Sequence, residues 1–94
     1  MVTLVLIEAE PNPGQAGNLV EFFKRNLHHP QEHDGFREAA VYAEEGDGSV
    51  VVTQLWDSKA QFEAYLAWRE TAGSFEEFQA LAKGEPVIRY FASG

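Results

Sequence analysis

Val2-Thr3-Leu4-Val5-Leu6-Ile7 is an almost unbroken run of apolar and β-branched residues, and a strand of that composition suits a place covered on both faces. In a chain of 94 residues that is demanding, because a domain of this size buries only about 60–65% of its unfolded surface. Helices from the same chain can cover one face. The other needs a second layer.

The rest of the sequence supplies the helices and three more strands. Asn12-Pro13-Gly14-Gln15 reads as a helix start, with Asn12 as N-cap, Pro13 at the first helical position and Gln15 completing a capping box. The helix is expected to run to about His28, with Ala16, Leu19, Phe22, Phe23 and Leu27 as its apolar stripe. A polar loop from His28 to Gly35 follows. Phe36–Ala43 and Ser49–Trp56 then read as strands joined across Glu44–Gly48, where Asp47-Gly48 is a hairpin turn signal. Asp57 caps the next helix, Ser74-Phe75-Glu76-Glu77 opens a short one, and Pro86–Phe91 closes the chain as a strand. The order β-α-β-β-α-(α)-β fits an α+β, ferredoxin-like fold over a single domain, 1–94, with an antiparallel four-stranded sheet and helices on one side.

Strict alternation in the hairpin puts Phe36, Ala40 and Tyr42 together with Val50, Val52 and Trp56 on one side. Ala39, Val41, Ala43, Val51, Thr53 and Leu55 fall on the other. Neither set is polar, so the face without helices is expected to meet a second copy of the chain in a homodimer.

Composition removes several function classes. Seven basic against fifteen acidic residues give a net charge of -8 with no basic cluster, which disfavours nucleic acid. The absence of cysteine excludes disulfides, a thiolate nucleophile and cysteine metal sites. No segment approaches the roughly 20 apolar residues of a membrane span, and the N-terminal run lacks the flanks of a signal peptide. A cytoplasmic location is expected.

One residue breaks the apolar pattern in a useful way. On the helix after Asp57, Phe62, Tyr65, Leu66 and Arg69 recur at i, i+3, i+4 and i+7 and so share the inward stripe. A guanidinium is costly to bury unpaired. Arg69 therefore marks either an internal ion pair, with Glu38 or Glu8 as candidate partners, or a pocket for an anionic or phenolate-like ligand.

The chain resembles the antibiotic biosynthesis monooxygenase-like proteins of the dimeric α+β barrel superfamily. The resemblance is carried by the element order, by Asp34-Gly35-Phe36 at the entry to the second strand, and above all by Leu55-Trp56-Asp57-Ser58-Lys59-Ala60-Gln61-Phe62-Glu63-Ala64-Tyr65-Leu66-Ala67-Trp68-Arg69. It implies a pocket between sheet and helices that holds a small aromatic molecule. In the enzyme members it implies oxidation of a quinol or anthrone by molecular oxygen with no metal, flavin or other cofactor. On that reading Arg69 stabilises the substrate anion, His33 takes its proton, and Tyr65 and Tyr42 hydrogen-bond its oxygens, while Trp56, Trp68 and Phe75 form aromatic walls. The haem-degrading branch implies an Asn, a Trp and a His where this chain has Ile7, Tyr65 and Phe75, so haem chemistry is not expected.

Structural roles compete with each assignment. Trp56 ends a strand and suits the core, Trp68 suits the helix boundary or the dimer seam, and Tyr65 needs only a hydrogen-bond partner. His28, His29 and His33 cluster with Glu32 and Asp34 but read as a solvated loop at a helix end rather than a metal site. Two further functions stay open beside the oxygenase: a non-oxidative isomerase or cyclase on the same scaffold, and a non-catalytic ligand-binding dimer module.

Overall fold

The computed structural model describes residues 2–26, 33–46, 48–72 and 75–93, without the side chains of 70–72 and 75. Leu27, the loop histidines His28 and His29, Glu32, the Asp47 turn position, the Ser74 cap and the side chain of Phe75 lie outside the described residues. The elements are β1 (Thr3–Ala9), α1 (Ala16–Asn26), β2 (Phe36–Ala43), β3 (Val50–Trp56), α2 (Lys59–Ala72), α3 (Phe75–Leu81) and β4 (Val87–Ala92). The strands form a four-stranded sheet in the order β2-β3-β1-β4. All neighbouring pairs are antiparallel, giving the ferredoxin-like α+β arrangement.

The apolar start of the chain becomes β1, an inner strand paired on both edges. Its odd-numbered residues Val5, Ile7 and Ala9 face the helices, and Leu4 and Leu6 point to the opposite side. Under the helices the core falls into two clusters. Ala9, Leu19, Phe22, Val50, Phe78 and Ala82 fill one end of the sheet, and Val5, Trp56, Phe62 and Tyr65 fill the other.

Three local readings are corrected. Asn12 does not cap α1: the Gln15 amide donates to the Asn12 carbonyl at 2.9 Å and Gly14 has φ +77°. Asn12-Pro13-Gly14-Gln15 thus has the features of a type II turn, with Pro at its second position and a positive-φ Gly at its third. The Asn12 side chain instead donates to the Ala80 carbonyl at 3.1 Å, tying this turn to α3. At the start of α2 the cap is Ser58, whose hydroxyl accepts from the Gln61 amide at 3.3 Å, while Asp57 pairs with Arg37.

The third correction moves a whole face. β2 carries a bulge between Phe36, opposite Trp56, and Glu38, opposite Leu55. Arg37 is the extra residue, so the alternation slips by one. Ala39, Val41 and Ala43 join Val50, Val52 and Trp56 under the helices, and Ala40 and Tyr42 join Val51, Thr53 and Leu55 on the other side. Tyr42 is 59% exposed there, with Val87 and Phe91 also exposed.

The Asp34-Gly35-Phe36 sequence has a steric reason. Gly35 sits at φ +90°, its carbonyl accepts from the Asp57 amide at 2.7 Å, and a Cβ there would collide with the Gln61 side chain. The positive φ is what favours glycine here, since the Gln61 atoms that a Cβ would meet are the tip of a flexible side chain.

Candidate active site

The two core clusters do not close on each other at mid-sheet, and the gap between them is a cavity of about 100 Å³. Its floor is the sheet centre, where Ile7 pairs with both Val52 and Ile88. Phe22, Phe23 and Phe78 wall one side, and Phe62, Tyr65 and Leu66 the other. Four polar side chains enter this apolar shell: Asn26, Gln54, Tyr65 and Arg69.

Arg69 lies where the helical stripe placed it, one and two turns beyond Tyr65 and Phe62 on the cavity wall. Its partner is neither Glu38 nor Glu8. Its Nη2 donates to the Asn26 Oδ1 at 3.0 Å, and Asn26 is itself oriented by donating from Nδ2 to the Phe22 carbonyl at 2.7 Å. Glu8 pairs with Arg89 instead. No described carboxylate neutralises Arg69, so its remaining N–H groups are available to a ligand.

Gln54 is the buried polar side chain of the described core, 6% exposed. Its Oε1 accepts from the Trp56 indole Nε1 at 2.8 Å. An indole can only donate, so the amide cannot be turned around without losing that bond, and its NH2 is left as a donor. Among the described residues neither the Gln54 NH2 nor the Tyr65 hydroxyl has a protein partner, and no enclosed polar side-chain atom is unsatisfied. Both groups therefore reach open space, and the cavity is the space their residues line.

Tyr65 stays neutral well above physiological pH. Burial raises its pKa above the ordinary 10.0, and the Arg69 charge only partly offsets this. The hydroxyl is a donor rather than a base. Because the native state holds this proton longer than the unfolded chain does, stability is full below pH 10 and falls as pH rises through the higher native value. Tm measured from about pH 9 to about pH 11 is expected to fall less steeply in Tyr65→Phe than in the wild-type chain; equal slopes would refute this assignment.

The other sequence-derived candidates divide. Trp56 is fully buried and acts from behind the cavity, holding Gln54. His33 meets the rings of Tyr65 at 5.0 Å and Trp68 at 4.9 Å but does not line the cavity. Trp68, 42% exposed, stacks on the outer side of this cluster. Tyr42 is removed from the site altogether by the β2 bulge. The side chain of Phe75 is outside the described residues.

Gln54 and Asn26 were missed by sequence reasoning. Gln54 had a readable signal, since it stands between Val52 and Trp56 in the inward register of β3. A polar residue in such a register deserves the inference drawn for Arg69. Asn26, at the end of α1, had none.

The wall thus presents hydrogen-bond donors, one of them a cation, and among the described lining residues no carboxylate or imidazole. Such a site stabilises negative charge on a ligand oxygen. No helix of the described chain is long and apolar enough to cross a membrane.

The model of a family described as antibiotic biosynthesis monooxygenase matches residues 2–84. No curated protein matches the chain. Among solved structures, a conserved protein from Methanosarcina mazei superposes with a TM-score of 0.83 at 13% identity, covering 100% of this chain and 94% of the other. SnoaB, a cofactor-independent oxygenase from Streptomyces nogalater, gives 0.78 at 20% identity, with 99% and 92% covered. A monooxygenase from Streptomyces coelicolor in complex with nanaomycin D gives 0.78 at 16% identity, with 98% and 87% covered. At these identities the structures share the fold.

Proposed function

As the chain belongs to the antibiotic biosynthesis monooxygenase family, we propose that it is a cofactor-independent oxygenase that binds a quinol- or anthrone-type aromatic as its anion and oxidises it with molecular oxygen. One observation carries this reading: the donors of Arg69, Tyr65 and Gln54 enter an otherwise apolar cavity with no described base among its walls.

The roles follow from the chemistry. Arg69 holds the phenolate or enolate oxygen and lowers the substrate's own pKa, so its proton leaves to solvent without a protein base. Tyr65 and the Gln54 NH2 donate to the substrate's oxygens. The anion gives one electron to O2, and the two radicals combine to form a C–O bond at ring carbon. The peroxide takes a proton; the carbon then loses its own proton as the O–O bond breaks and water leaves. One oxygen atom stays as a carbonyl, the other departs as water, and the substrate supplies all four electrons. The surrounding apolar wall strengthens these interactions by excluding water. An isomerase or cyclase is less well supported, because it must return a proton to carbon and needs a group to carry it.

Oxygen uptake by metal-free protein with a panel of quinols and anthrones tests the reading. Uptake above background that requires the protein supports it. Turnover that continues unchanged under nitrogen would point to the isomerase instead, and binding without turnover to a ligand-binding module.

We further propose that two copies pair through the helix-free sheet face, where Leu4, Leu6, Val51, Leu55 and Phe91 lie together. A patch of this kind is unusual on a monomer. Leu4→Glu places a charge between Leu55 and Phe91 and is expected to convert a dimer seen by light scattering into a monomer. A wild-type chain that is monomeric at micromolar concentration would overturn the pairing.

A further inference from the structure

The cavity has an annex that the oxygenase reading leaves unused. An open groove of about 690 Å³ adjoins it between α3 and the start of β4. Leu66, Phe78, Pro86 and Ile88 line both spaces, so the two lie against each other and a ligand that spans them passes between these four side chains.

The two spaces differ in size and chemistry. A cavity of ~150 Å³ holds one benzene ring, so the inner space of about 100 Å³, which is open on one side, seats a single ring only partly enclosed and no fused-ring system. The donors of Arg69, Tyr65 and Gln54 belong to that inner space. The groove adds Gln79, Ala82, Gly84 and Glu85; it offers mostly apolar wall, and its only charge among the lining residues is the carboxylate of Glu85. Gly84 leaves its part of the wall open, since an added Cβ there would meet nothing within 4 Å. An extension carrying a phosphate or carboxylate would face Glu85 in a chain of net charge -8 and be disfavoured.

Resting on the oxygenase reading, we propose that the substrate is a single-ring quinol bearing a neutral aliphatic side chain, with the ring in the inner cavity and the chain in the groove. The ring supplies the anion that Arg69, Tyr65 and Gln54 recognise. The chain supplies affinity by leaving water, and selects against fused-ring compounds that cannot bend from one space into the other.

Calorimetric titration under nitrogen, with hydroquinone and a series of n-alkylhydroquinones from methyl to hexyl, tests this. Affinity is expected to rise about fourfold per methylene, the equivalent of about 0.8 kcal/mol each, and to level off once the chain outgrows the groove. Gln79→Trp, an exposed α3 position that faces only the groove, is expected to flatten this dependence. A chain ending in a carboxylate is expected to bind more weakly than its methyl-ended equivalent, and Glu85→Gln to narrow that gap. Hydroquinone binding with no gain along the series, or an anthrone binding more tightly than every alkylhydroquinone, would overturn the proposal while leaving the oxygenase reading in place. Failure of every ring compound to bind would overturn both.

Discussion

Arg69→Ala is expected to lower kcat/KM for oxygen-dependent quinol oxidation by about 100- to 1,000-fold, the usual consequence of removing a preorganised donor from a developing anion. The expectation rests on Arg69 being the cation of the cavity wall and on the absence of any described carboxylate beside it. Its hydrogen bond among the described residues is to a neutral partner, Asn26, and because the donor is charged its loss should cost about 1.5–3 kcal/mol in stability. A large loss of kcat/KM for the folded fraction, beyond what the lower Tm accounts for, is therefore the signature of the anion-binding role. Arg69→Lys restores the charge but not the planar fork and should recover part of the loss. A large fall in Tm with little change in kcat/KM for the folded fraction would instead make Arg69 a structural residue.

Trp56→Ala is expected to have the largest effect on stability. The side chain is fully buried and its ring packs against Phe36, Phe62 and Tyr65. Truncating such a residue costs about 3–5 kcal/mol, and for a chain of this size that lowers Tm by about 12 °C or more. The loss also strips the Gln54 Oε1 of its donor. Trp56→Phe separates the two contributions, since it keeps most of the packing but frees the Gln54 amide to turn. It is expected to fold and to bind quinols more weakly. Urea unfolding and quinol titration of both variants check this; a Trp56→Phe protein that binds as tightly as wild type would show that the indole does not set the amide.

Much of this arrangement was readable because it depends on local period. Leu19 and Phe22 on α1, and Phe62, Tyr65, Leu66 and Arg69 on α2, fall on inward stripes whatever the tertiary context, and the element order dictated the sheet. Tyr42 was misplaced for a specific reason. Alternation carries along a strand only until a bulge interrupts it, and the extra residue Arg37 pairs with Asp57 on another segment, a contact with no signature in the strand itself. Asn12 was misread because Asn-Pro-Gly suits both a helix start and a type II turn, and the bond to Ala80 that accompanies the turn is 68 residues distant in sequence. His33 is adjacent to the site without entering it, and sequence distance cannot separate those outcomes. Asn26 became part of the site only because the Arg69 side chain of α2 reaches the end of α1.

The proposed function requires that this cavity prefer an aromatic anion. The most direct measurement is an absorbance titration of bound p-nitrophenol, a single-ring phenol that reports its own ionisation. The bound phenol should ionise at lower pH than the free one, and the shift should disappear in Arg69→Ala. A bound phenol whose pKa is unchanged or raised would mean that the apolar wall outweighs the donors of Arg69, Tyr65 and Gln54, and would contradict the proposed function.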